Sequence, residues 1–137
     1  MLGRKVLIDG ASGGVGHPAC QLALAAGAIV HGHVRNASFR DMVAEWCGDR
    51  TIVAPDLVAA ASFGPFHLIL DSVGGSALGA ALGMLRPDGT CVTFGVSEAS
   101  TATFDRGHSA IGYGEPSSRE WWKALCGASP TSWSSEP

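Results

Sequence analysis

The chain has 137 residues, 46% of them hydrophobic, which is enough to fill the core of one domain. Its formal net charge of −3 excludes the basic excess that nucleic-acid binding requires, so we expect no nucleic-acid partner. No apolar run reaches the roughly 20 residues that cross a bilayer, and no signal-peptide core follows the N-terminus. We therefore expect a cytoplasmic protein without membrane contact.

The spacing of cysteine and histidine predicts no metal site. The four cysteines are scattered and form none of the CxxC pairs that metal sites and redox motifs use, so we interpret them as reduced, mostly buried thiols. His31 and His33 would share one face of a strand. No carboxylate or cysteine at suitable spacing completes the ligand set that zinc needs.

Strands and helices alternate along most of the chain. Short β-prone runs predict strands over residues 5–9, 29–34, 51–54, 67–71 and 90–94. Helical patterns cover Gly14 to Ala26, about 39–48, 56–61, and the leucine repeat Leu78, Leu82 and Leu85. The first strand is mostly apolar, as expected at the centre of a sheet that is buried on both faces. We predict a single α/β domain with a doubly wound parallel sheet, the Rossmann class.

The first helix shows which face should pack on the sheet. Ala19, Leu22, Ala23 and Ala26 recur at helical spacing and predict that face, and Gly27 is placed to end the helix.

The pattern fails after about Phe104, where the composition shifts toward Ser, Trp and Pro. The sequence therefore predicts a dinucleotide-binding domain over residues 1–105 and an atypical, poorly ordered extension over 106–137.

The strongest chemical signal is the glycine-rich segment from Asp9 to Gly16, which follows the first strand and opens the first helix. Glycines permit a tight turn and let the backbone approach a pyrophosphate, whose charge meets the N–H groups at the helix N-terminus. We predict a phosphate-binding loop centred on Gly13, Gly14 and Val15. The alternative is a turn that packs tightly and binds no ligand.

The end of the second strand indicates which dinucleotide is bound. An acidic residue there accepts hydrogen bonds from a free ribose 2′-hydroxyl, but this chain has Arg35 followed by Asn36. The charged fork of arginine suits a 2′-phosphate, so Arg35 favours NADP(H) over NAD. The alternative is a solvated surface charge.

Further motifs follow in order: Gly64-Pro65-Phe66, the run Leu70 to Gly75, the run Leu85 to Thr90, and Phe94-Gly95. With the glycine loop and Arg35-Asn36, they make residues 3–105 resemble the cofactor domain of medium-chain dehydrogenases/reductases, in the zinc-independent, quinone-oxidoreductase-like branch. The resemblance implies that the pyrophosphate is lined by Ser12, Gly13, Gly14, Val15 and Gly16. It also implies that Arg35 and Asn36 hold the adenosine phosphate, and that the nicotinamide-side ribose lies near Ser72, Val73, Gly95 and Val96.

A short-chain dehydrogenase-like reductase is the nearest alternative, because the glycine loop also satisfies its spacing. That family needs a tyrosine followed four positions later by lysine, whereas Tyr113 is followed at that offset by Ser117. A methyltransferase would need an acidic residue where Arg35 stands.

The resemblance implies hydride transfer between NADPH and a quinone, an enone or a related carbonyl substrate. The family's β-rich catalytic domain is not in this sequence, so we assign no catalytic residue and expect the truncated chain to be inactive alone. Two alternatives are a non-catalytic nucleotide-binding module that acts through a partner chain and a truncated remnant. An exposed sheet edge would also favour a homodimer.

Overall fold

The computed structural model describes residues 1–95 and 97. Within them lie five strands: β1 (Lys5–Asp9), β2 (Ile29–Val34), β3 (Thr51–Val53), β4 (Phe66–Asp71) and β5 (Leu85–Thr93). The α-helices in the same residues are α1 (Gly16–Ala25), α2 (Arg40–Cys47) and α3 (Gly75–Gly83), and short 3-10 helices span Ala37–Phe39, Gly48–Arg50 and Leu57–Phe63. Val96 and the predicted extension over 106–137 lie outside the described residues.

All strands join one parallel sheet in the order β3-β2-β1-β4-β5. The predicted α/β class and the central position of β1 are confirmed. Because the chain runs outward from β1 to β3 on one side and from β4 to β5 on the other, the strand order reverses between β1 and β4. In open α/β sheets, ligands bind beyond the carboxyl ends of the strands at such a point.

Alternate residues of β1 supply the two faces of the core. Val6 and Ile8 belong to a buried cluster with α1 and α2, whereas Leu7 belongs to the cluster on the opposite face with α3 and the 3-10 helix Leu57–Phe63. All three β1 side chains are fully buried. The sheet is therefore covered on both faces.

Helix α1 presents a different face from the one predicted. Cys20 is its most buried apolar side chain and Ala19 packs partly against the same cluster, but Leu22 is 71% exposed. The prediction that Leu22 and Ala26 pack on the sheet is wrong, because small and apolar residues occur on more than one face of the helix and their periodicity does not distinguish the inner face. Gly27, at φ 79°, follows the end of the helix as predicted.

The boundary between α3 and β5 also differs from the prediction. Leu85 was expected in the helix, but α3 ends at Gly83 and Leu85 begins β5, opposite Phe66 of β4. The register shifts after this pair, and Asp88 lies within the shifted segment at φ 64°. Residues 86–89 therefore form an irregularity inside the strand. No helix of the described residues is long and apolar enough to span a membrane.

Candidate functional site

The turn between β1 and α1 brings the helix very close to the strand. Gly10 adopts φ 75°, and its carbonyl oxygen accepts a hydrogen bond from the Gly13 N–H at 2.9 Å. A Cβ atom added at Gly16 would collide with that same carbonyl oxygen. This turn therefore requires glycine at Gly16 for close approach and favours it at Gly10 for the left-handed conformation.

The N-terminus of α1 is open toward solvent. Val15 is the N-cap residue, yet no side chain caps the helix and no acidic residue lies in its first turn. Gly13, Gly14 and Val15 are exposed, and a Cβ added at Gly14 would have nothing within 4 Å. The first N–H groups of a helix have no partner within the helix, and the helix dipole adds positive charge there. This arrangement can bind an anion.

Two buried polar side chains lie at the carboxyl ends of β1 and β2, where the glycine loop begins. Asp9 and His33 are opposite each other in the parallel register of β1 and β2, and they are 2% and 1% exposed. His33 Nδ1 lies 2.8 Å from Asp9 Oδ1, and its Nε2 lies 3.0 Å from the Ala54 carbonyl oxygen. The Ala11 N–H donates to the His33 carbonyl oxygen at 3.1 Å. The pair thus links the carboxyl ends of β1 and β2 with the residue after β3.

Arg35 and Asn36 follow β2 at the same edge of the sheet as the glycine loop, because β1 and β2 are parallel. Both residues are exposed. Asn36 Oδ1 accepts a hydrogen bond from the Ser38 N–H at 2.9 Å and caps the 3-10 helix that follows. The Asn36 oxygen therefore has a structural contact, and the Arg35 guanidinium is the cation next to it.

The turn after β4 contacts the strand that leads into the glycine loop. The Ser72 hydroxyl donates to the Asp9 carbonyl oxygen at 3.0 Å, and Val73 is 7% exposed. A Cβ added at Gly95 would collide with the Ser72 carbonyl oxygen, so the segment after β5 crosses directly over this turn. The structure thus brings the turn that contains Ser72 and Val73 into contact with Gly95 and with the strand that leads into the glycine loop.

Asp71 organises this second turn. Its carboxylate accepts hydrogen bonds from the N–H groups of Val73, at 3.1 Å, and Gly74, at 3.1 and 3.2 Å, and from the Thr93 hydroxyl at 3.0 Å. Burial raises the pKa of this carboxyl group, although these hydrogen bonds act in the opposite direction. Asp71 therefore connects the start of α3 with the end of β5.

Sequence reasoning missed three of these side chains: Asp9, His33 and Asp71. Asp71 had a usable signal, because an aspartate that begins a glycine-containing turn often accepts hydrogen bonds from the backbone N–H groups that follow it. The Asp9–His33 contact had none at short range, since the residues are far apart in sequence and meet only through strand register.

Three of the four cysteines, Cys20, Cys47 and Cys91, lie in the described residues, where they are buried and free of disulfides, as predicted. Burial raises the pKa of the Cys91 thiol to about 12. Among residues 1–95 and 97, no group of three His, Cys, Asp or Glu side chains is placed to hold a metal ion.

Comparisons with known proteins agree with this geometry. The family model of zinc-binding dehydrogenases matches residues 14–122, more than half of the chain. The crystal structure of AibC has 29% sequence identity and a TM-score of 0.67, covering 77% of this chain and 34% of that one. A 2-haloacrylate reductase has 28% identity and a TM-score of 0.65, covering 73% and 34%. An alcohol dehydrogenase superfamily protein from Novosphingobium aromaticivorans has 30% identity and a TM-score of 0.63, covering 77% and 35%.

The fold and the glycine loop define a nucleotide-binding α/β domain of an oxidoreductase. The chain belongs to the zinc-binding dehydrogenase family, whose members bind a nicotinamide dinucleotide, and this confirms the resemblance to medium-chain dehydrogenases. It spans about a third of the length of these solved structures. A comparison with curated proteins gives no significant match. Because the described residues offer no metal site, we assign no zinc ligand to them.

Proposed function

We propose that the chain binds NADPH and serves as the cofactor domain of a reductase. The observation that carries this proposal is the uncapped N-terminus of α1, which has no acidic residue in its first turn and has the exposed, side-chain-free Gly14 in front of it. These features suit a pyrophosphate lined by Ser12, Gly13, Gly14, Val15 and Gly16. When bound, NADPH would supply the hydride, and the protein would supply binding and orientation.

The preference for NADPH over NADH rests on Arg35. It follows β2, where a carboxylate would repel a 2′-phosphate, and the neighbouring residues up to Arg40 include no acid. A guanidinium can donate two parallel hydrogen bonds to a phosphate. Asn36, with its oxygen already held by the Ser38 N–H, would contribute through its amide nitrogen.

Calorimetric titration of the purified chain with NADPH and with NADH tests both the binding of a dinucleotide and the preference for NADPH. For Arg35→Ala we expect about 10- to 100-fold weaker NADPH binding, as for loss of hydrogen bonds to a charged group, and unchanged NADH binding. Arg4→Ala is the matched control, because Arg4 is also exposed but precedes the amino end of β1. Equal affinity of the unaltered chain for both dinucleotides would remove the role of Arg35.

We also propose Ser72, Val73, Gly95 and Val96 as the residues near the nicotinamide-side ribose. Their support is the close packing of the turn after β4 against the segment after β5, at the carboxyl edge that holds the glycine loop. Calorimetric binding of NADPH and of its adenosine half, 2′-phospho-ADP, to Ser72→Ala and Ser38→Ala tests this placement. Ser72→Ala should weaken only NADPH binding, whereas Ser38→Ala, near the adenosine side, should affect both ligands alike.

The acceptor we propose is a quinone, an enone or a related carbonyl compound, and we propose that the 137-residue chain alone is inactive toward it. The matched structures are more than twice as long, and correct placement of two reactants is worth roughly 7–11 kcal/mol. An assay of NADPH oxidation with a quinone, run on chain that is saturated with NADPH, decides this. Binding without turnover supports a cofactor-holding module, whereas turnover would establish a complete enzyme.

Two further expectations stay predictions. Strand β5 is an edge of the sheet within the described residues, and an unpaired edge favours association with a second copy. Sedimentation at increasing concentration would reveal such a dimer or exclude it. A cytoplasmic location is proposed from the sequence alone.

A further inference from the structure

The contact between Asp9 and His33 has a chemical requirement that its geometry makes explicit. Both side chains are almost fully buried, and both ring nitrogens of His33 have an oxygen within hydrogen-bond distance: Asp9 Oδ1 at 2.8 Å and the Ala54 carbonyl oxygen at 3.0 Å. A carbonyl oxygen can only accept, so the Nε2 atom must carry a hydrogen.

The Nδ1 contact then requires a second proton. A neutral imidazole protonated at Nε2 has a bare Nδ1, and an ionised carboxylate has no hydrogen, so the two atoms would face each other as acceptors at 2.8 Å. The contact is a hydrogen bond only when one further proton lies on His33 Nδ1 or on the Asp9 carboxyl group. In the first case the pair is an imidazolium and a carboxylate; in the second both groups are neutral.

Loss of this proton would leave one net negative charge buried at the carboxyl ends of β1 and β2, where the loop proposed to bind an anion begins. Asp9 Oδ2 is buried and has no hydrogen-bond partner in the described part of the chain, so no other contact there offsets that charge. The Asp9 carbonyl oxygen also receives the Ser72 hydroxyl, and the His33 carbonyl oxygen receives the Ala11 N–H. A shift of either residue would therefore move the turn after β4 or the glycine loop.

We propose that Asp9 and His33 share one proton, and that this proton positions the carboxyl ends of β1 and β2 for binding of the dinucleotide phosphates. Asp9 and His33 are positioning residues, since they act through the glycine loop and through Arg35, two residues beyond His33. The binding consequence rests on the proposed function, whereas the shared proton does not.

Two variants of Asp9 isolate the shared hydrogen. Asp9→Asn keeps the contact, because the side-chain amide donates its own hydrogen to a bare Nδ1 without any added proton. Asp9→Leu has a similar volume but no donor.

Nuclear magnetic resonance on the ligand-free chain tests the proton itself. At neutral pH we expect the ¹⁵N shifts of His33 and the ¹³C shift of the Asp9 carboxyl group to show one proton in addition to that on Nε2, on whichever atom carries it. In Asp9→Asn, His33 is expected to be neutral with a bare Nδ1. An ionised Asp9 beside a neutral His33 in the unaltered chain would overturn the proposal.

NADPH affinity measured at neutral pH in the unaltered chain and in the two variants tests the consequence. We expect near-normal binding for Asp9→Asn, whose amide supplies the hydrogen, and about tenfold weaker binding for Asp9→Leu. An equal loss in Asp9→Asn would refute the positioning role. Absence of NADPH binding by the unaltered chain would refute the proposed function instead, and the resonance experiment would still decide whether the proton is shared.

Discussion

The turns after β1 and β4 are both rich in glycine, both follow an aspartate and both lead into a helix, yet the two aspartates bond differently. Both turns contain glycines at positive φ, 75° for Gly10 and 74° for Gly74. In the second turn the Asp71 carboxylate accepts the N–H groups of Val73 and Gly74, just before α3. In the first, the Asp9 carboxylate faces His33 on the neighbouring strand instead. Neither α1 nor α3 has a side-chain cap or an acidic residue in its first turn.

The difference shows that glycine content alone does not identify a phosphate-binding loop. A carboxylate that accepts the N–H groups of its own turn leaves fewer of them for an anion, and its charge repels one. In the first turn the carboxylate contacts a side chain of the neighbouring strand, so it takes up no N–H group of the turn. The partner of the aspartate therefore distinguishes the two turns.

The largest effect is expected on the free energy of unfolding when the second turn loses the Asp71 carboxylate. Asp71→Ala leaves two buried N–H groups and the Thr93 hydroxyl without their acceptor, and we expect about 3 kcal/mol lower free energy of unfolding, measured in urea. Asp71→Asn is the control, because its amide oxygen can still accept from the backbone and Thr93 can donate to the Gly95 carbonyl oxygen. Equal stability of Asp71→Ala and the unaltered chain would show that the hydrogen bonds of the Asp71 carboxylate are dispensable.

A methyl group at Gly16 should have the next largest effect. Its Cβ would collide with the Gly10 backbone, and overpacking of this kind costs about 1–3 kcal/mol in thermal or urea unfolding.

At Gly14, where the added Cβ meets nothing, we expect unchanged stability but weaker NADPH binding, because the methyl group stands where the pyrophosphate approaches. If Gly14→Ala bound NADPH normally, the ligand would not approach the loop there.

A carboxylate placed in the first turn would convert it toward the second. Val15 is the N-cap of α1 and is 58% exposed, so Val15→Asp should change the free energy of unfolding by less than about 1 kcal/mol. NADPH affinity should fall about tenfold through charge repulsion. Val15→Asn has nearly the same shape without the charge and should bind normally; an equal loss in both variants would indicate a steric cause.

The smallest effect is expected on the free energy of unfolding when the pH is lowered. Burial raises the pKa of Asp71 in the folded chain, so the folded state takes up this proton more readily than the unfolded state. As the pH falls from 7 toward 4, the free energy of unfolding of the unaltered chain should therefore rise relative to that of Asp71→Asn. Urea midpoints at a series of pH values measure this difference, and an opposite slope would mean that the hydrogen bonds outweigh burial.

The strands, their parallel order and the glycine loop could be predicted because each depends on local pattern. Two local predictions were wrong for a common reason: Leu22 and Leu85 lie in stretches where small or apolar residues satisfy helical spacing in more than one way. Packing then decides, and it leaves Leu22 71% exposed and places Leu85 in β5.

The buried polar contacts beneath the site could not be predicted from spacing. His33 was considered for a metal and no suitably spaced carboxylate was found, whereas its actual partner, Asp9, lies on the adjacent strand. Such a contact depends on register between strands, and one residue of slip would turn the two side chains to opposite faces. The site residues visible in the sequence are those that follow strand ends.

The pairing of Asp9 with His33 has a consequence for recombination between related proteins. A chimaera that takes β1 from one parent and β2 from another receives only half of the pair, and the remaining polar group is then buried without a partner. Replacing both residues together with apolar side chains should be tolerated better than replacing either one, which is non-additivity between neighbours. The two strands are therefore best exchanged as a single block.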